Sequence, residues 1–337
     1  MDGKQVSRTS EENVQIQKQL DKKARQKERI MNLIPYAGFV FVVVALTIAT
    51  GGNLFSANNL ANILNQSFVM IIVAVGASFV YAHGGMDFTV GASMGLAEFV
   101  IVTMILSDKV PLAAALLTGV LVPVASSVGV ACCALYLKIP VFVGSLGLRM
   151  VLMGVLNMVT TNSANGQLKI SYNDYRFIDN VAVKLLVLVA VIVAGYYLFE
   201  YTGIGKKAKI IGGNRTVARE SGVNVSKYVI WGYVFLGVCV GIAGIFSLFR
   251  AAGVSNTSGS GTEFNLMTCI ALGGFPLKGG QRSRIINAIL GAMTVCILSN
   301  GLLLCNLDAN IINGIKGLLF IVIVGLSYDR SSGKLVS

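Results

Sequence analysis

Few residues in this chain could do chemistry, and most of them stand alone in apolar sequence. Asp87 and Glu98 are carboxylates flanked by long hydrophobic runs, and Arg149 is a single guanidinium inside another. Charges at membrane depth are costly, so they mark functional sites by default. Asp87 has two readings. Either it caps the helix that begins near Phe88, or with Thr89 it faces a polar path. Glu98 is either held by a buried partner or lines a wet path, and Arg149 is placed to pair with an acid. His83 is the only histidine. It leaves no material for a histidine metal cluster or a Ser/His/Asp triad, and its expected role is a structural hydrogen bond. Cys132, Cys133, Cys239, Cys269, Cys296 and Cys305 all fall in apolar runs, without zinc-type spacing, and read as packing residues. No catalytic residue, metal or cofactor is expected. Neither Gly212-Gly213-Asn214 nor Gly279-Gly280-Gln281 completes the phosphate-binding pattern GxxxxGK[ST], so the chain is not expected to bind ATP itself.

The most structured polar stretch is Thr202–Tyr228, TGIGKKAKIIGGNRTVARESGVNVSKY, a basic, glycine-punctuated loop between apolar runs. Asn214 can accept from a first-turn N–H, Arg215 to Ser221 is about two turns, and Gly222 is suited to a left-handed stop. A positively charged inside loop needs none of these signals. Together they predict a short docking helix over 214–222.

Composition fixes the class of protein that must position these residues. Of 337 residues, 55% are hydrophobic and 12% charged, about half the charge of a soluble domain. Runs near the roughly 20 residues needed to cross a bilayer lie at 33–50, 60–82, 89–107, 111–137, 140–160, 181–200, 229–250, 285–304 and 310–327, with a shorter one at 263–275. None alternates in polarity as a membrane barrel strand would. The reading is an all-α, polytopic transmembrane bundle of about ten spans with both termini inside. Eight spans with two re-entrant runs is the alternative. Residues 1–32 form a basic tail without a signal peptide, residues 33–329 the membrane domain, and residues 330–337 a second cytoplasmic tail. The net charge of +12 follows the positive-inside rule and does not indicate nucleic acid. Lysines and arginines crowd the N-terminal tail, the 202–228 loop and 278–284, whereas the 162–180 loop is balanced.

Two glycine-interrupted turns, Gly84–Gly91 and Ala271–Gly280, fall in the two halves of the chain and hint at the internal repeats of transporter folds. Gly237, Gly241 and Gly244 predict close helix packing.

Five blocks in order resemble the membrane permease of ribose- and galactose-type ABC sugar importers. They are NNLANILNQS (58–67), GGMDFTVGASMGL (84–96), PVFVGSLGLRMVLMG (140–154), TGIGKKAKIIGGNRTVARESGVNV (202–225) and NGLLLCNLDANIINGIKGLLFI (300–321). The resemblance covers roughly 33–327. It implies a bacterial cytoplasmic-membrane subunit that pairs with a second permease copy and moves a monosaccharide by ATP-driven alternating access. Cytoplasmic ATPase subunits would dock on Gly212, Gly213, Asn214, Arg215, Val217, Ala218, Arg219, Glu220, Ser221 and Gly222, with Val217 and Ala218 in the partner's groove. An extracytoplasmic solute-binding protein would deliver substrate to a path for which Asn62, Gln66, Asp87, Thr89, Glu98 and Asn265 are candidates. Three departures bear on the cargo. Asn265 stands where the family has an aspartate, Glu98 where a small or apolar residue is usual, and QRSR after Gly280 is more basic. A nucleoside or signalling furanose is an alternative cargo. An ion-coupled transporter and a non-transporting scaffold are alternative functions.

Overall fold

The computed structural model describes residue 33 and residues 35–107, 110–161, 166–171 and 175–327. The expected tails, 1–32 and 330–337, lie outside the described residues. Each apolar run becomes a helix, because in hydrocarbon a chain must satisfy its own N–H and C=O groups. The order is α1 (Pro35–Ala49), α2 (Ala57–Ala82), α3 (Val90–Leu106), α4 (Leu112–Leu135), α5 (Val141–Thr161), β1 (Gln167–Lys169) and α6 (Val181–Tyr196). Then follow α7 (Gly203–Gly213), α8 (Arg215–Glu220), α9 (Val225–Ala251), β2 (Gly253–Ser255), α10 (Thr262–Leu272), α11 (Ile285–Leu304) and α12 (Ala309–Ser327). The all-α bundle is as expected. Among the described residues six helices are long and apolar enough to cross a membrane, and α1, α3 and α12 are shorter apolar helices. With 11 residues, α10 rises only about 16 Å and cannot cross a hydrocarbon core of about 30 Å on its own.

The connections sort to two ends. α9 has 27 residues and so spans about 40 Å. At its start sits α8, and at its finish β2, which pairs antiparallel with β1, Gln167 opposite Ser255 and Lys169 opposite Gly253. α9 also runs along α4 and α2. A Cβ at Gly237 would overlap the backbone of Val124, and one at Gly241 would crowd Val120, so the two helices pack backbone to backbone as the glycine spacing predicted.

Two helices begin inside the bundle. The chain leaves α2 at His83, and Asp87 then accepts from the Thr89 N–H (2.8 Å) and hydroxyl (2.6 Å). That is an Asx turn one step ahead of α3, not a cap on the helix itself. The segment before α10 enters from the opposite end. The two meet where a Cβ at Gly91 would overlap the Gly259 carbonyl and one at Gly95 the Ser258 carbonyl. The expected hydrogen-bonding role of His83 is not met at Nε2, which has no partner. Its ring packs on Tyr233 with centroids 5.6 Å apart. Cys239, Cys269 and Cys296 are buried free thiols.

Ser171 and Ser226 are both exposed, one beside β1 and the other at the start of α9. Single cysteines at these positions, with the native six removed, should react with a membrane-impermeant maleimide from opposite faces of oriented vesicles. Labelling from one face would overturn the ten-span reading. Asp87→Ala leaves the buried Thr89 N–H unpaired, at about 1–3 kcal/mol, and should lower the melting temperature of the purified protein. Asp87→Asn keeps the accepting oxygen and should lie close to wild type. A loss with Asn as large as with Ala would mean that the charge itself is required.

Candidate functional site

The segment between α6 and α9 is more ordered than a glycine-punctuated loop. α6 widens into a π turn over Tyr197–Tyr201, and Thr202 Oγ1 accepts from Ile204 N–H at 3.2 Å to start α7. The sequence reading missed α7, because its glycines look like breakers. They are contact points: a Cβ at Gly205 would overlap the Phe199 backbone, and one at Gly212 the Ala82 carbonyl. The signal was present in Ile204, Ala208 and Ile211, one stripe at helical spacing, of which Ala208 and Ile211 are buried.

The expected helix over 214–222 is present as α8. Asn214 Oδ1 accepts from Thr216 N–H (3.0 Å) and Val217 N–H (3.1 Å). Gly222 takes φ +78°, and Val223 N–H closes on the Ala218 carbonyl at 3.0 Å, a Schellman stop. Of the ten expected docking residues, Gly213, Asn214, Arg215, Val217, Arg219, Glu220, Ser221 and Gly222 are exposed. One is corrected: Ala218 is fully buried on the face of α8 turned into the bundle, so its side chain does not reach a partner's groove. Gly212 is half-buried and packed against α2.

Behind α8 three segments converge. Gly280 N–H donates to the Ala82 carbonyl at 2.9 Å. Gly212 and Gly279 both press on that carbonyl, and Gly84 lies against Lys278. The two glycine-interrupted turns are therefore in contact with each other and with the end of α7.

At the other end of α9 a cavity of about 370 Å³ opens between α2, α9, α10, α11 and α12. Its polar walls include Gln66, Ser247, Arg250, Asn265, Ser299 and Lys316. Of the six expected path residues, only Gln66 and Asn265 line it. Asn62 is exposed one turn before Gln66, Asp87 and Thr89 are buried in their own turn, and Glu98 lies behind the wall with the hydroxyls of Ser247 and Ser258. Arg250 and Lys316 were missed, although the rule that picked out Asp87, applied to cations in the runs at 229–250 and 310–327, would have found them.

Three other cations in the bundle have carboxylate partners. Arg149 Nη2 lies 2.6 Å from Glu263 Oε1, the acid it was expected to find, and Glu263 sits on the first turn of α10, where a negative charge is favoured. Lys184 binds Asp179 and, at 2.9 Å, Asn65 Oδ1. Lys209 lies 2.7 Å from Glu200. Among the described residues Lys316 has only Asn265 Oδ1, at 3.0 Å.

Comparison with known proteins places this architecture. The chain is 30% identical over 273 residues to the ribose import permease protein of Escherichia coli, covering 78% of this chain and 83% of that protein. It is 26% identical over 303 residues to the D-allose transport system permease protein of the same species (87% and 91% covered). With the fructose import permease protein of Rhizobium meliloti it shares 26% over 309 residues (87% and 84%). No solved structure matches. The family described as branched-chain amino acid transport system / permease component matches residues 59–324, and the chain, a multi-pass protein of the bacterial cytoplasmic membrane, belongs to it.

Proposed function

We propose that this chain is the translocating subunit of an ATP-driven importer of monosaccharides. A second copy completes the path, a separate ATPase docks on α8, and an extracytoplasmic solute-binding protein delivers cargo to the cavity. The observation that carries the reading is the placement of α8. It is capped at both ends, exposed on its outer face, and joined through α7 to the point where the α2–α3 and α10–α11 connections touch. α8 and the cavity lie at opposite ends of α9. A push on α8 reaches both interrupted segments through backbone contacts, with no long side chain to absorb it. The interrupted segments lead into α3, α10 and α11, which pack around the cavity, so closure of the ATPase would change access to the solute. The relatives named as ribose, allose and fructose permeases support a monosaccharide as cargo. The hydroxyl and amide groups of the cavity wall suit one, because each can donate to or accept from a sugar hydroxyl.

Val217 is 51% exposed, so Val217→Asp should leave the isolated chain folded. In the complex it would put an unpaired carboxylate into an apolar contact, at a cost of several kcal/mol, more than a docking contact of about 1–2 kcal/mol offsets. The variant should insert normally, lose the ATPase on purification and lose uptake. Arg219→Ala, on the rim, should change copurification by no more than about 1 kcal/mol. Normal ATPase recovery and normal transport with Val217→Asp would remove α8 as the docking element. Uptake that persists without ATP while a proton gradient is held would replace this reading with an ion-coupled one.

A further inference from the structure

We infer that the cavity takes a monosaccharide bearing an acidic group, a carboxylate or a phosphate, and that Lys316 selects it. The inference rests on the reading of this cavity as the sugar site. Lys316 is 8% exposed and lines the cavity, yet among the described residues its only partner is the neutral Asn265 amide. Elsewhere in the bundle, Lys184, Lys209 and Arg149 each have a carboxylate. A second cation, Arg250, lines the same cavity with no ion pair among the described residues, and no aspartate or glutamate is in the wall. The nearby acids are committed: Glu263 to Arg149, and Glu98 to the Ser247 and Ser258 hydroxyls.

α10 starts at the cavity wall with Gly261 at its N-cap and no side-chain cap, and the acid on its first turn, Glu263, is already held by Arg149. An ammonium has three donors, and Asn265 uses one. Desolvating a lysine without a counter-charge is costly. A ligand acid would supply the missing charge, while Gln66 and the remaining lone pairs of the Ser247 and Ser299 oxygens are left for sugar hydroxyls. A neutral sugar would leave the lysine uncompensated. The volume is within the range that small ligands occupy.

The test uses the full-length chain in lipid nanodiscs, titrated calorimetrically with D-galactose, D-galacturonate and D-galactose 6-phosphate, which share a ring and differ at one carbon. The wild type should bind at least one of the two acids about tenfold or more tightly than D-galactose, the gain expected of one charge-assisted hydrogen bond. Whichever acid binds more tightly identifies the group. Asn265→Asp places a carboxylate beside Lys316 and should lower the ratio of acid affinity to D-galactose affinity about tenfold or more. Lys316→Gln should do the same, and keeps the test valid if the aspartate variant does not fold. D-galactose bound as tightly as both acids, or an acid preference unchanged in both variants, overturns the inference and leaves the sugar reading standing. Binding of none of the three overturns both.

Discussion

A helix interrupted inside a membrane must hand its orphaned backbone groups to another part of the protein, because lipid accepts none. That constraint organises this bundle. The carbonyl of Ala82, at the end of α2, is taken by the Gly280 N–H, and the two interrupted segments can approach so closely only because glycines stand at both. The same requirement acts where Gly91 and Gly95 of α3 meet the carbonyls of Gly259 and Ser258. Each interruption is thus held by the other half of the chain.

Charge is managed under a similar rule. Inside the bundle a cation is tolerated when it has an acid at contact distance and further polar neighbours. Lys184, with Asp179 and Asn65, meets that condition at the β1 end. Lys209, with Glu200 and the face of Phe199 at 4.5 Å, meets it beside α7, and Arg149 with Glu263 ties α5 to α10. Of these pairs only Arg149–Glu263 joins helices far apart in the chain; Asp179 and Glu200 lie within ten residues of their lysines and pin local segments. The positive cavity stands out against that background.

The sequence made the helices, their ends and α8 legible, since apolar run length, Asn214 and Gly222 are local signals. The interruption at Asp87 was legible as a turn, but its exact bonding was not. Whether a carboxylate caps the helix or the residue before it depends on where the helix starts, and neighbouring elements set that. The cavity was legible only in part. Gln66, Asn265, Arg250 and Lys316 are each conspicuous by side-chain type, but only packing of helices far apart in the chain brings the four to one cavity. α7 was hidden because a glycine that permits close approach reads, on its own, like one that ends a helix. Ala218 shows the same limit. Two adjacent apolar residues on a six-residue helix point about 100° apart, and only tertiary packing decides which is outside.

The backbone contact between α4 and α9 bears on how the protein is made. α4 leaves the ribosome roughly a hundred residues before Gly241, which at about 5–20 residues per second is an interval on the order of ten seconds. During that time the Val120–Val124 face has no partner helix and is covered by lipid or by the insertion machinery. α9 must then displace that cover and slide its glycines into register, so the bundle closes late, after more than two thirds of the chain is already in the bilayer.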